Sequence, residues 1–366
     1  MRITAAVARA PHQDLTIENV DLDELRPDEV RVKMVASGVC HTDAIVRDQV
    51  YPTPLPAVLG HEGAGIVEEV GETVTTVDVG DHVLLTAAYC GVCSRCRTGD
   101  MAYCENLFAA DFGGRRSDGS TAFSRDGEVI SSHFFGQSSF ASWSNVVAES
   151  LVKLPSDVPL ETVAPLGCGI QTGAGAVLNE LEPSIGESLV VLGTGAVGSG
   201  AIMAGAVAHC GQIIAVDVHQ SRLDLARELG ATDVINTKEA DLTEEIMRVT
   251  DGRGADRILD TTARPEVIRG AVDAVAHRGV FGLVGAAAPG TEVSFEIGLS
   301  LIKGWTFKTI VQGSSVPQVF VPRLIDLWRK GKFPFDKIVR QYGFQDINTA
   351  FEDSAAGVTV KPVVVH

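Results

Sequence analysis

Two patterns of apolar and polar positions divide this chain. Up to about residue 170 the apolar positions come in short runs interrupted by Gly and Pro. Residues 30–39, 65–70 and 81–86 are mostly β-branched or apolar. Short strands spaced by turn residues predict a β-rich, barrel-like domain. Beyond residue 170 the pattern changes. Residues 188–192 are a continuous apolar run, the sign of a strand buried on both faces, and 196–210 is small, apolar and of helical length. Further strands are predicted at 213–218, 233–235, 257–260, 280–284 and 305–311, with helices at 221–229, 242–249 and 265–276. Six strands alternating with helices predict an α/β fold built on a doubly wound parallel sheet. A last helix, 319–329, and a β-like stretch, 358–365, follow. The expected organisation is a β-rich domain over 1–169, an inserted α/β domain over 170–312, and a return to the first domain over 313–366.

A chain of 366 residues, 45% hydrophobic and 21% charged, has material for about two cores, which excludes wholesale disorder. Its formal charge is −17, from 30 basic and 47 acidic residues. So acidic a surface repels phosphate backbones and anionic lipid, so neither nucleic acid nor a membrane is an expected partner. No run of eighteen apolar residues is present, so no transmembrane helix is expected. The first ten residues lack the apolar core and cleavage site of a signal peptide. They are expected to form a first strand in a cytoplasmic protein.

Gly193-Thr194-Gly195-Ala196-Val197-Gly198 follows the apolar run at 190–192 and opens a predicted helix. In that context the spacing reads as a dinucleotide-binding turn. Gly193 permits the tight turn, Gly195 lets the backbone approach a pyrophosphate, and Gly198 allows close helix–strand packing. The helix start, at Ala196 and Val197, offers free N–H groups to the anion. Asp217, nineteen residues after Gly198, ends the next strand. A carboxylate there accepts from ribose hydroxyls and repels a 2′-phosphate, which favours NAD over NADP. The alternative is a turn residue that caps the following helix. Arg222, five residues on, could cover the adenosine from the other side, and it leaves tolerance of NADP open. The glycines at 167, 169, 173 and 175 do not follow a strand, and read as a helix packed on another backbone.

The seven cysteines are too few and too unevenly placed for a disulfide scaffold. Four of them, Cys90, Cys93, Cys96 and Cys104, fall within fifteen residues as C-x2-C-x2-C-x7-C. Four thiolates suit a closed tetrahedral zinc of structural type, with an iron–sulfur cluster as the alternative. Cys40, His61 and Cys168 each have glycine close by. Together they would make a catalytic zinc site with one position open. Singly, each also reads as an ordinary core or turn residue. Cys210 reads as a buried structural thiol.

Gly60-His61-Glu62-Gly63-Ala64-Gly65, Gly38-Val39-Cys40-His41-Thr42-Asp43, the four-cysteine lobe at about 88–106 and the glycine turn occur in one order. In that order they resemble the zinc-dependent medium-chain alcohol dehydrogenases over essentially the whole chain. Residues 46–49 with Tyr51 and Pro52, 133–135 with 137–140, 166–173 and 332–335 look closer still to the bacterial aryl (benzyl) alcohol dehydrogenases. The resemblance implies a GroES-like catalytic domain with a Rossmann-type NAD domain. It implies two zinc ions per subunit, one catalytic and one structural, and a homodimer or homotetramer. It implies oxidation of a small-molecule primary alcohol, of aromatic or allylic type, to its aldehyde. By the same resemblance Asp43 would orient His61, Glu62 would lie behind the metal, and Thr42 would hydrogen-bond the substrate oxygen and start a proton relay. His41 and Lys361 would meet the cofactor pyrophosphate. Phe134, Phe135 and Ala87 would wall the substrate pocket, although core packing is the alternative for one of the two rings. The chain departs from some members at Ile45, where they continue the relay with a histidine. Competing functions are a related dehydrogenase of S-hydroxymethylglutathione or of a terpene alcohol, and a non-catalytic binding module that keeps the fold.

Overall fold

The computed structural model describes residues 1–366. The chain forms two compact units. One comprises Met1–Cys168, Val316–Pro322 and Ile338–His366; the other comprises Gly169–Ser315 and Arg323–Lys337. One stretch differs from the sequence expectation: 323–337 goes with the second unit, not the first. Lys337 of this stretch pairs with Glu228 of the second unit at 3.9 Å, and the Trp328 indole donates within the stretch to Asp336 at 2.8 Å.

The first unit is built on two sheets. A five-stranded sheet runs in the order Ala57–Val58, Arg2–Ala8, Thr16–Leu22, Phe123–Arg125 and Glu128–Ile130. The larger sheet centres on Glu29–Gly38, where alternate residues Val30, Val32, Met34 and Ala36 point into the core and Lys33 points out. Burying each valine contributes about 1.5–3 kcal/mol, which explains why this register is held. Glu29–Gly38 pairs antiparallel with Gly63–Val70 and Trp143–Val147. Its last residues also pair with the C-terminal strand Lys361–Val365, Gly38 opposite Val363 and Ser37 opposite Val364. The chain end is thereby stitched beside Val39 and Cys40. The strand His82–Leu85 ends just ahead of Ala87, Ala88 and the cysteine lobe.

The second unit carries a six-stranded parallel sheet, ordered Asp233–Asn236, Gln212–Asp217, Ser188–Leu192, Ala255–Asp260, Val275–Leu283 and Thr306–Thr309. All five residues of Ser188–Leu192 are buried, as the continuous apolar run predicts. The strand order reverses on either side of this strand, and a crevice opens at such a switch point. The helix expected over 265–276 stops at Val272, because Val275 already pairs with Ala255 in the sheet. A helix at Ile297–Lys303 was not expected, since its apolar residues face outward. The glycine-rich segment is the helix Gly169–Gly175. A Cβ at Gly173 would overlap the Val197 carbonyl, so this helix packs backbone to backbone, as read from the sequence.

Candidate active site and metal centres

Cys40 lies between the strand Glu29–Gly38 and the helix His41–Arg47, whose first turn carries Thr42 and Asp43. Asp43 is wholly buried and accepts three hydrogen bonds: from the Cys40 amide at 3.0 Å, the Gly60 amide at 3.1 Å and His61 Nδ1 at 2.9 Å. A single carboxylate thus fixes both ligand-bearing segments and commits Nδ1 of His61. The other nitrogen, Nε2, is buried without a hydrogen-bond partner. An orphaned imidazole nitrogen is costly unless something coordinates it. Donor atoms of Cys40, His61, Glu62 and Cys168 all lie within 4.8 Å of one another. Two sulfurs and an imidazole around one point fit zinc, and Cys40 and Cys168 are only half-buried, which leaves the set open on one side.

The charges of this cluster are tightly linked. A hydrogen bond from Cys168 pulls the Cys40 thiol well below its usual range, with help from His61 and Lys361. The same contact pushes the Cys168 thiol up. Burial opposes charge on His61, yet Asp43 and Cys40 outweigh it and raise its pKa. Burial also raises Glu62, against the pull of Lys361. Lys361 corrects an expectation. Its ammonium is almost wholly buried, 2.6 Å from Glu62 Oε2 and donating to the Val39 carbonyl at 3.0 Å, so it stands behind the donor set and not at a surface for a pyrophosphate.

Cys90, Cys93, Cys96 and Cys104 form the second cluster, again with all four sulfurs within 4.8 Å. The Cys90 amide points at Cys104 Sγ at 3.4 Å and the Cys96 amide at Cys93 Sγ at 3.5 Å. N–H groups aimed at sulfur suit thiolates. Asn106 and backbone amides hold Cys90 down to about 6, while burial pushes Cys96 up to about 12. Four sulfur donors match a closed zinc site.

Aromatic rings of the first unit's hydrophobic core pack against the first cluster. Phe135 stacks on the His61 imidazole at 4.5 Å, and Phe134 meets it edge-on at 5.5 Å. Both rings are buried, as is Ala87. Phe112, which the sequence reading did not single out, contacts both rings and Tyr51. Gln137 was missed as well. Its wholly buried amide donates to the His61 and Thr86 carbonyls and accepts from the Gly63 amide, each at 3.0 Å. No spacing rule singles out such residues, because each acts through a distant segment. Thr42 Oγ1 lies 3.7 Å from Cys40 Sγ, while His41 is exposed on the same turn.

In the second unit, Gly193, Gly195, Asp217, Arg222 and Arg264 line a crevice of 260 Å³. Gly193 has φ +85°, which favours glycine, and a Cβ on Gly198 would overlap the Gly193 carbonyl, whereas Gly195 faces open space. Ala196 and Val197 open the helix Ala196–Val207 beside it. Asp217 does more than the motif suggests. It accepts from the Thr194 amide and hydroxyl at 2.9 and 2.8 Å, and from the Val218 and His219 amides at 2.7 and 3.0 Å. These donors outweigh burial and lower its pKa, so it stays charged.

A two-zinc donor set and a dinucleotide turn on these two folds agree with what known proteins show. The alcohol dehydrogenase GroES-like domain model matches residues 26–156, and the zinc-binding dehydrogenase model matches 196–328. The chain belongs to the zinc-dependent medium-chain alcohol dehydrogenase family. Among the relatives of this alcohol dehydrogenase is a geraniol dehydrogenase of Castellaniella defragrans, 40% identical over 99% of this chain and 97% of that protein. An S-(hydroxymethyl)glutathione dehydrogenase of Escherichia coli is 35% identical over the full length of both. A crystal structure of benzyl alcohol dehydrogenase from Acinetobacter calcoaceticus superposes with TM-score 0.96 and 45% identity, covering 100% of this chain and 99% of that one. The cofactors of this dehydrogenase are accordingly NAD and zinc, with one donor set fitting the catalytic ion and the other the structural one. That excludes the iron–sulfur alternative for the lobe. No helix is long and apolar enough to cross a membrane.

Proposed function

We propose that this enzyme oxidises an aromatic or allylic primary alcohol, of benzyl alcohol type, reversibly to the aldehyde with NAD. The observation that carries the reading is the pair of rings, Phe134 and Phe135, packed on the imidazole of His61. Apolar walls beside the donor set favour a flat, ring-bearing alcohol over a small polar one.

Cys40, His61 and Cys168 would hold the catalytic zinc, and Cys90, Cys93, Cys96 and Cys104 the structural one. Bound zinc lowers the pKa of an alcohol, and NAD accepts the hydride. The chain's own residues do the remaining work. Thr42 accepts the alcohol proton through its hydroxyl and hands it toward the nicotinamide ribose. Ile45 carries no group that can extend the relay, so the proton leaves to water from there. Asp43 holds His61 in one tautomer and orientation. Glu62, neutralised by Lys361, places a carboxylate behind the donors. Ala87 leaves space where a larger side chain would crowd a ring. Asp217 keeps its charge at the crevice and would disfavour a 2′-phosphate, Arg222 would cover the adenosine, and His41 would meet the pyrophosphate.

Self-association into a dimer or tetramer belongs to the same reading. Ile297, Leu299, Leu301 and Ile302 are 60–83% exposed on one short helix, more apolar surface than a lone chain usually leaves wet. Seven unpaired cysteines suit a reducing, cytoplasmic setting.

The test is kcat/KM, read by NADH absorbance, for benzyl alcohol, geraniol, ethanol and S-hydroxymethylglutathione, with zinc counted per chain. The expected order puts benzyl alcohol first and ethanol last. S-hydroxymethylglutathione or ethanol as clearly the best substrate would overturn the assignment, and geraniol in first place would move it from the aromatic to the allylic side. One zinc per chain with no alcohol-dependent NADH would make the protein a binding module.

A further inference from the structure

The loop that carries the two rings is strained and clamped at both ends. His133, Phe135, Gly136 and Ser138 have φ of 58°, 53°, 67° and 53°. Only one of the four is glycine. A phenylalanine in the left-handed region is an outlier that persists only where its surroundings over-determine it.

The upstream clamp is ionic. His133 is 3% exposed; its Nδ1 meets Ser132 Oγ at 2.8 Å and its Nε2 meets Glu29 Oε1 at 2.8 Å. Arg116 grips the same carboxylate with Nε at 2.6 Å and Nη2 at 3.1 Å, and reaches Asp23 with Nη1 at 2.9 Å. The Arg26 amide adds a bond to Glu29 Oε2 at 3.0 Å. The downstream clamp is the Gln137 amide, which ties the loop to the backbone of His61, Gly63 and Thr86. Ser138 adds a bond from its hydroxyl to the Val58 carbonyl at 2.7 Å. The rings of Phe134 and Phe135 are carried between the clamps.

We propose that His133 and Gln137 are positioning residues that hold Phe134 and Phe135 against His61, and that this brace sets the preference for ring-bearing over short aliphatic alcohols. The inference rests on the aromatic-alcohol reading above. Its logic is that a strained backbone freed of its clamps relaxes toward ordinary φ values and carries both rings with it. A benzyl ring needs a wall at a set place, and a displaced wall costs it alignment. Ethanol is too short to touch that wall. The loss should therefore discriminate between substrates, which a general weakening of the fold would not do.

Two variants test it in the zinc-loaded enzyme with NAD. His133→Asn keeps a residue that tolerates positive φ but is too short to bridge Ser132 and Glu29. Gln137→Met keeps the length and removes all three hydrogen bonds. For each, kcat and KM are measured for benzyl alcohol and ethanol, zinc is counted, and Co²⁺ is exchanged for the catalytic zinc to record its visible spectrum. The expected result is a fall of about tenfold or more in kcat/KM for benzyl alcohol, chiefly through KM, with ethanol falling less than about threefold. Both zinc ions should be retained, and the cobalt spectrum should stay that of the parent, because His61 keeps its bond to Asp43. If Gln137→Met does not fold, His133→Asn decides alone. Equal losses for the two alcohols, or a lower Tm with an unchanged benzyl-to-ethanol ratio, would reduce the clamps to scaffolding and overturn the proposal. A parent enzyme with no preference for benzyl alcohol would instead remove the functional reading on which the brace depends.

Discussion

The two cysteine clusters of this dehydrogenase answer the same problem in opposite ways. The lobe gathers four sulfurs from one fifteen-residue stretch, with its own amides aimed at them. Nothing outside that stretch is needed to close the set. The other cluster draws Cys40, His61 and Cys168 from three segments far apart in the chain, and adds a ring of support: Asp43 on His61, and Lys361 on Glu62. A closed set of like donors contributes stability and has no position left for a reactant. A mixed, half-buried set held by outside carboxylates keeps one position free, and geometry is maintained by groups that never touch the substrate.

The contrast can be broken most directly by exchanging one sulfur in each cluster. Cys40→Ser is expected to abolish turnover while the far-ultraviolet circular dichroism and most of the Tm survive. Cys96→Ser should lose one zinc and several kcal/mol of stability, about 10 °C in Tm. Exchanged phenotypes would mean that the catalytic and structural assignments are reversed. Next in size is the proton. Thr42→Ala should cut kcat for benzyl alcohol by about a hundredfold, the range of positioned acid–base help, and Thr42→Ser should keep most of it. A Thr42→Ala enzyme as fast as its parent from pH 6 to pH 8, where imidazole relays titrate, would show that the proton leaves by another route.

Smaller effects sharpen the part played by supporting groups. Asp43→Asn removes the charge that holds His61, and is expected to weaken zinc retention or activity by about 10–100-fold, measured by competition with a chelator. The lobe, which lacks such a carboxylate, should keep its zinc in that variant. Asp217→Gly should narrow the preference for NAD over NADP by about tenfold; equal kcat/KM for the two cofactors in the parent would refute the role given to this carboxylate.

The smallest effect concerns Asp111, on the short helix that leads out of the lobe. It is wholly buried, accepts one hydrogen bond from the Ala88 amide at 2.9 Å, and leaves Oδ2 without a partner. Burial pushes its pKa up to about 8 from 3.8. Between those values the folded protein binds a proton that the unfolded chain has lost, so stability declines as pH rises through that window. Asp111→Asn cannot ionise and should flatten the decline, seen as a Tm that changes less than the parent's between pH 6 and pH 9. Parallel Tm curves would show that Asp111 is already charged.

Much of the fold was legible because its signals are local. The alternation of buried strands and helices beyond residue 170 predicted six parallel strands, and six are present. Where the prediction slipped, at the end of the helix Pro265–Val272, a sheet pairing outweighed helical pattern. The helix Ile297–Lys303 escaped notice because it turns apolar residues outward, against the periodicity on which such predictions depend. Lys361 is a cofactor contact only by the family resemblance, which carries no information on its burial. Only the pairing of Val363 with Gly38 shows that it lies inside, against Glu62.

By itself, then, the sequence determined the donor types, the closed lobe, the glycine turn and the family, since those depend on residue identity and short spacings. Tertiary structure alone decided what surrounds them. It brought Gln137 to the backbone of His61 and Glu29 to His133, set Phe112 against the two rings, and turned Asp217 to brace Thr194. Those contacts join residues tens to more than a hundred positions apart. Their energy comes from burying polar groups that must find partners, and which partner each finds depends on strand register and packing that no local pattern encodes.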